Sequence, residues 1–110
     1  MTRLVPFTPE NYPIIHQGVA LYQGARDEPL ERWRLQIRLL DKLESLGAVD
    51  ATVPKHPAFT PRALAEAATL ALEQSEIDLL RQMLLGAGWT MKAKALLLQF
   101  FDGLSTAKEL

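Results

Sequence analysis

Prolines and glycines are spaced along this chain so that its leucine-dense stretches fall into four segments of helical length. Proline cannot donate from its nitrogen and clashes inside a helix, while glycine favours helix ends, so each marks a boundary. The first segment opens at Thr8-Pro9-Glu10, a capping residue followed by a proline whose missing N–H costs nothing in the first turn. Pro13 allows a later start equally well. Ile14 or Ile15, Val19 and Tyr22 then share a face, and Gly24 is the stop. The second segment opens at Asp27-Glu28-Pro29, acids and proline at the positive end of the helix dipole, and Gly47 ends it. In it Leu30, Trp33, Ile37, Leu40 and then Leu43 or Glu44 recur at helical spacing, with Arg32, Arg34, Arg38, Asp41 and Lys42 on the other side. That spacing predicts an amphipathic helix with Trp33 facing the core.

Between Ala48 and Thr60, Pro54, His56 and Pro57 forbid a regular helix and form a connector longer than bundle helices usually need. The third segment starts at Thr60-Pro61, again cap and proline, and allows two readings. A single helix from Pro61 to Leu85 suits the strong helix formers Ala, Leu, Glu and Gln, and is the preferred one. Alternatively Ser75-Glu76-Ile77-Asp78 is a new capping box, Thr69 to Glu73 is extended or looped, and the helix runs from Glu76. Gly86-Ala87-Gly88 is a turn closed by Trp89, and Thr90 caps a last helix. Its buried side is Ala93, Leu96 or Leu97, Phe100 and Leu104, ahead of a frayed tail from Ser105 to Leu110.

No run of alternating β-branched residues stands out, so the expected class is all-α: a small bundle of about four helices with a Pro-containing connector between the second and third. At 110 residues this is a single domain, 1–110, able to bury a core without metal or disulfides. Its 48% apolar and 23% charged residues exclude disorder. Apolar runs such as Ala95 to Leu98 are too short to cross a bilayer, and Pro6, Pro9, Glu10 and Asn11 interrupt any leader-like stretch, so no membrane association and a cytoplasmic location are expected. The absence of cysteine removes thiol chemistry, and a net charge of −1 gives no overall attraction to nucleic acid.

Chemistry-bearing residues are sparse. His16 and His56 stand far apart with no acid at ligand spacing, which reads as a helix-surface residue and a loop residue rather than a metal pair. Glu73, Glu76 and Asp78 cluster in sequence, but helix capping accounts for them better than a general acid–base pair, which needs a pocket that shifts one pKa. Ser45, Ser75 and Ser105 lack the surroundings of a nucleophile. No catalytic, cofactor-binding or metal-ligating residue is assigned, no cofactor is expected, and the chain is read as not an enzyme.

Association is the better-supported activity. In the last helix Leu97, Leu98, Phe100 and Phe101 span a wider arc than one core layer requires, which makes them the candidate interface. The first helix is a poorer seam because His16 and Gly18 dilute its stripe. The expected protein is a non-catalytic interaction or assembly protein with a protein partner or a second copy of itself. The rival from another class is a small DNA-binding transcription regulator, drawing on Arg26, Arg32, Arg34 and Arg38. Asp27, Glu28, Glu31, Asp41 and Glu44 interleave with those cations, so nucleic acid is the less favoured partner.

The run Leu72-Glu73-Gln74-Ser75-Glu76-Ile77-Asp78-Leu79-Leu80, then Leu84, Trp89, Ala93 and Leu97 to Leu104, resembles short uncharacterised helical proteins of tailed phages and prophages. Arg38 to Glu44 is similar to a segment lying upstream in such proteins. In that group the LExxE step is often followed directly by a helix start. The resemblance implies a phage or prophage setting, with no activity, ligand or catalytic residue attached; the interaction or assembly protein expected above is read as an accessory or regulatory factor of that type.

Overall fold

The computed structural model describes residues 2–24, 26–54 and 57–105. His56 and the tail beyond Ser105 lie outside the described residues. In chain order the elements are β1 (Thr2–Phe7), α1 (Tyr12–Leu21), α2 (Leu30–Leu46), β2 (Ala48–Val49), β3 (Arg62–Ala63), β4 (Ala68–Glu73), α3 (Gln74–Leu85) and α4 (Met91–Ser105). Antiparallel pairs join β1 to β4 and β2 to β3. The chain is therefore mixed α/β, which corrects the all-α expectation.

The correction has a local cause. In β1, Val5 and Phe7 point into the core and Pro6 out, a period-two pattern too short to stand out in the sequence. Proline is tolerated because each strand of a two-stranded sheet keeps an edge free of ladder bonds. Opposite it, Ala68–Glu73 consists mostly of residues that prefer helix, yet pairs with β1 from Thr2↔Glu73 to Phe7↔Ala68 and buries Leu72. Pairing overrides propensity, and the preferred single helix from Pro61 to Leu85 does not form. The alternative break is the observed one, two residues earlier than Ser75. Glu73 is the N-cap of α3, and the Glu76 carboxylate accepts the Glu73 N–H at 3.0 Å to close a capping box.

Helix α1 takes the later start, with Thr8 and Asn11 exchanging side-chain bonds to each other's backbone N–H at 3.0 and 3.1 Å. The connector after α2 folds back on itself: β2 pairs with β3, and the Asp50 N–H reaches the Pro61 carbonyl at 2.9 Å. This places Arg62 at the C-terminus of α2, where its Nη1 donates to the carbonyls of Glu44 and Gly47 at 2.8 and 3.2 Å. A cation there satisfies carbonyls that have no partner within the helix. Gln36 does the same for α1, donating to the carbonyls of Val19 and Tyr22 at 3.0 and 3.1 Å. Gly47 is needed at the junction, because a Cβ there would lie 2.6 Å from the buried Tyr12 ring.

The core lies between the β1–β4 sheet and the four helices. Phe7 stands at its centre, 5.4 Å from the Phe100 ring and edge-on to Tyr12 at 6.3 Å. The expected inner side of α4 is the one buried, through Ala93, Leu97, Phe100 and Leu104. For α2 the expected face is met only at its C-terminal end, where Leu43 is buried and Leu40 packs against the core, and is turned outward elsewhere. Leu39 and Leu43 are buried, with Leu35 and Leu46 packed beside them, whereas Leu30, Trp33 and Ile37 are 58%, 53% and 60% exposed. Two apolar stripes at helical spacing run along this helix, and the sheet side takes the one without tryptophan.

Candidate interaction surfaces

Of the four α4 residues expected to form an interface, Leu97 and Phe100 belong to the protein's own core. Leu98, 61% exposed, and the half-buried Phe101 remain at the surface. They line an open groove of about 350 Å³ with Leu84, Leu85 and Trp89, and Lys94 is at its polar edge. Trp89 fixes the groove floor: its indole N–H donates to the Leu84 carbonyl at 2.7 Å across the turn between α3 and α4. The Cβ position of Gly18 lies 2.7 Å from Leu84 Cδ2 and 3.1 Å from the Trp89 ring, so a side chain at that site would require Leu84 and Trp89 to shift.

The second surface, unforeseen in the sequence reading, is the outer stripe of α2. At about 100° per residue, Leu40, Trp33, Ile37 and Leu30 fall within an arc of about 80°. Leu40 at one margin is half-buried against the core, and the other three face outward. Arg34 and Asp41, both exposed, border the opposite margin. The signal was present in the sequence: Leu35, Leu39, Leu43 and Leu46 repeat at helical spacing as well as the stripe that contains Trp33 does.

Polar groups of the candidate sites are drawn into the fold. His16, expected on a helix surface, is fully buried between Tyr12 and Phe59, with ring centroids 6.0 and 5.8 Å away. Its Nε2 lies 3.3 Å from Glu44 Oε2, and Arg62 Nε is 3.5 Å from the same oxygen. Burial holds the His16 pKa below the usual imidazole value, and the Glu44 bond offsets only part of that. Glu76 is buried too. Its carboxylate accepts from Lys42 Nζ at 2.6 Å and has Arg38 Nε at 3.7 Å, while Asp78 stays exposed and accepts from Gln74 at 2.9 Å.

Of the four arginines considered for nucleic acid, these pairings engage only Arg38, which stays largely exposed; Lys42 and Arg62 pair with Glu76 and Glu44. Among the described residues no group of three or more His, Asp or Glu side chains is arranged to hold a metal ion. None of the helices among the described residues is long and apolar enough to cross a membrane. No protein-family model, no curated protein and no solved structure matches the chain.

Proposed function

We propose that this chain is a non-catalytic protein–protein interaction or assembly protein, acting in the cytoplasm as an accessory or regulatory factor of phage or prophage type. The observation that carries the reading is the outer stripe of α2: a tryptophan, a leucine and an isoleucine, each more than half exposed, on a helix whose other side already supplies core residues. Exposed apolar patches rimmed by charge characteristically mark contact sites, and tryptophan is the residue most enriched where binding energy concentrates. Leu98 and Phe101 in the α3–α4 groove form a second, smaller contact patch.

The test is site-specific photo-crosslinking in expressing cells. A photoreactive residue in place of Trp33 is expected to give discrete protein adducts, to another protein or to the chain itself, that the same residue in place of the exposed Gln99 does not. Equal, diffuse labelling at the two positions overturns the reading.

A further inference from the structure

We propose that the partner of the α2 stripe is a second copy of this chain, bound by antiparallel pairing of the two α2 helices about a two-fold axis at Ile37. The proposal rests on the interaction reading above and names its occupant. The argument is one of charge and symmetry. A two-fold axis perpendicular to a pair of antiparallel helices keeps each flank of one helix beside the same flank of the other. Arg34 and Asp41 share one flank, three residues before and four residues after Ile37. With Ile37 on the axis, Arg34 therefore lies within about one residue rise, about 1.5 Å along the axis, of Asp41 of the second copy, and the reciprocal pair forms by symmetry. Neither residue has a hydrogen-bond or ion-pair partner among the described residues, so both are free for this role.

Two other arrangements lose this pairing. Parallel pairing about a two-fold axis along the helices carries the Arg34–Asp41 flank of the second copy to the opposite side of the interface, so the two residues do not meet across it. Sliding the antiparallel pair by one turn, so that Trp33 meets Ile37, brings the two Arg34 side chains together. In the Ile37-centred register each Trp33 lies about one turn from the axis and covers Ile37 and Leu40 of the other copy, an anchor at the centre of a small interface. Three outward apolar residues per copy do not by themselves reach the roughly 1,200 Å² of a stable complex. Arg34, Asp41 and the neighbouring rim must contribute, which places the pair among small, weak interfaces.

Sedimentation equilibrium of the purified full-length chain tests this. The wild type is expected to dimerise, and Ile37→Asp, which places two like charges on the axis, to weaken the dimer by about a hundredfold with helix content unchanged. Arg34→Asp and Asp41→Arg should each weaken it by about tenfold. The double variant should restore it, and an equimolar mixture of the two single variants should form the heterodimer in preference to either homodimer. Cis pairing cannot produce that rescue, because the two positions are about two turns apart on one helix.

A wild type that stays monomeric at millimolar concentration overturns the self-pairing. So does a dimer indifferent to Ile37→Asp, or single swaps that the double variant does not rescue. Where the chain is monomeric but a crosslinker at position 33 still captures a discrete different protein, self-pairing fails and the interaction reading stands. Failure of both experiments removes both.

Discussion

Helices α2 and α4 are both rich in leucine and carry apolar residues around much of their circumference, yet the fold uses them differently. Helix α4 lies against β1, where Phe7 projects toward it, and turns Ala93, Leu97, Phe100 and Leu104 inward, leaving Leu98 and the first-turn Met91 as its large exposed apolar residues. Helix α2 contributes Leu39 and Leu43 to the core, with Leu35, Leu40 and Leu46 partly buried beside them, and is fastened as well by polar contacts: Gln36 to the end of α1, Lys42 to Glu76, and Arg62 to its own C-terminus. Its richest apolar stripe is left outside. A helix held by apolar packing shows what the fold needs, while one held by polar clamps can keep an apolar face for something else.

The strongest way to break this comparison is to truncate one large side chain on each helix. Phe100→Ala removes a ring packed on Phe7 and should cost about 3–5 kcal/mol. Trp33→Ala, despite the larger side chain, should cost less than about 1 kcal/mol, because an exposed position away from caps and networks tolerates substitution. Urea unfolding followed by circular dichroism, at concentrations low enough to keep the chain monomeric, measures both. Equal losses would place Trp33 in the core and erase the distinction.

A smaller effect sharpens the account of how α2 is fastened. Gly47→Ala drives a methyl group into the Tyr12 ring, which cannot retreat because it is fully buried and its hydroxyl donates to the Leu43 carbonyl. The expected cost is about 1–3 kcal/mol, the range for overpacking. Glu76→Gln should cost slightly less, about 1–2 kcal/mol. The amide oxygen can still accept from the Glu73 N–H and from Lys42 Nζ, but the negative charge that pairs with Lys42 and Arg38 is lost. If Glu76→Gln is neutral while Gly47→Ala is not, α2 is held by its C-terminal junction rather than by the ion cluster.

The sequence was most legible where its punctuation was strong. The ends of α2 at Pro29 and Gly47, the turn before α4 and the buried stripe of α4 all follow from capping, proline and helical period. The sheet was not legible, because β4 is written in helix-forming residues and becomes a strand only when β1, more than 60 residues earlier, pairs with it. Glu73 and Glu76 did signal a helix start there, as the reciprocal halves of a capping box, but a glutamate N-cap is less recognisable than serine. The candidate site was half visible. A wide apolar arc on α4 pointed to excess surface, but Leu97 and Phe100 proved to be core. On α2 two stripes of similar quality competed, and sequence period alone does not say which of two apolar faces meets the rest of the chain.

The least of the expected effects concerns pH and the inner side of α2. His16 is buried against Tyr12 and Phe59, and the charged groups facing it are Glu44 and Arg62. Burial lowers its pKa in the folded state, so as pH falls below about 6.5 the unfolded chain takes up a proton that the folded chain resists. Stability is therefore greatest above that point, declines as pH falls through the window between the unfolded pKa and the lower folded one, and levels off below it. His16→Phe keeps an aromatic ring beside Tyr12 and Phe59 and has no proton to gain, while Glu44 retains Arg62. Denaturant unfolding between about pH 8 and about pH 5.5, above the range where carboxylates titrate, should show a decline in the wild type and a flatter profile in the variant. If the two profiles run parallel, His16 titrates alike in both states and the clamp between α1 and α2 is not tuned by its burial.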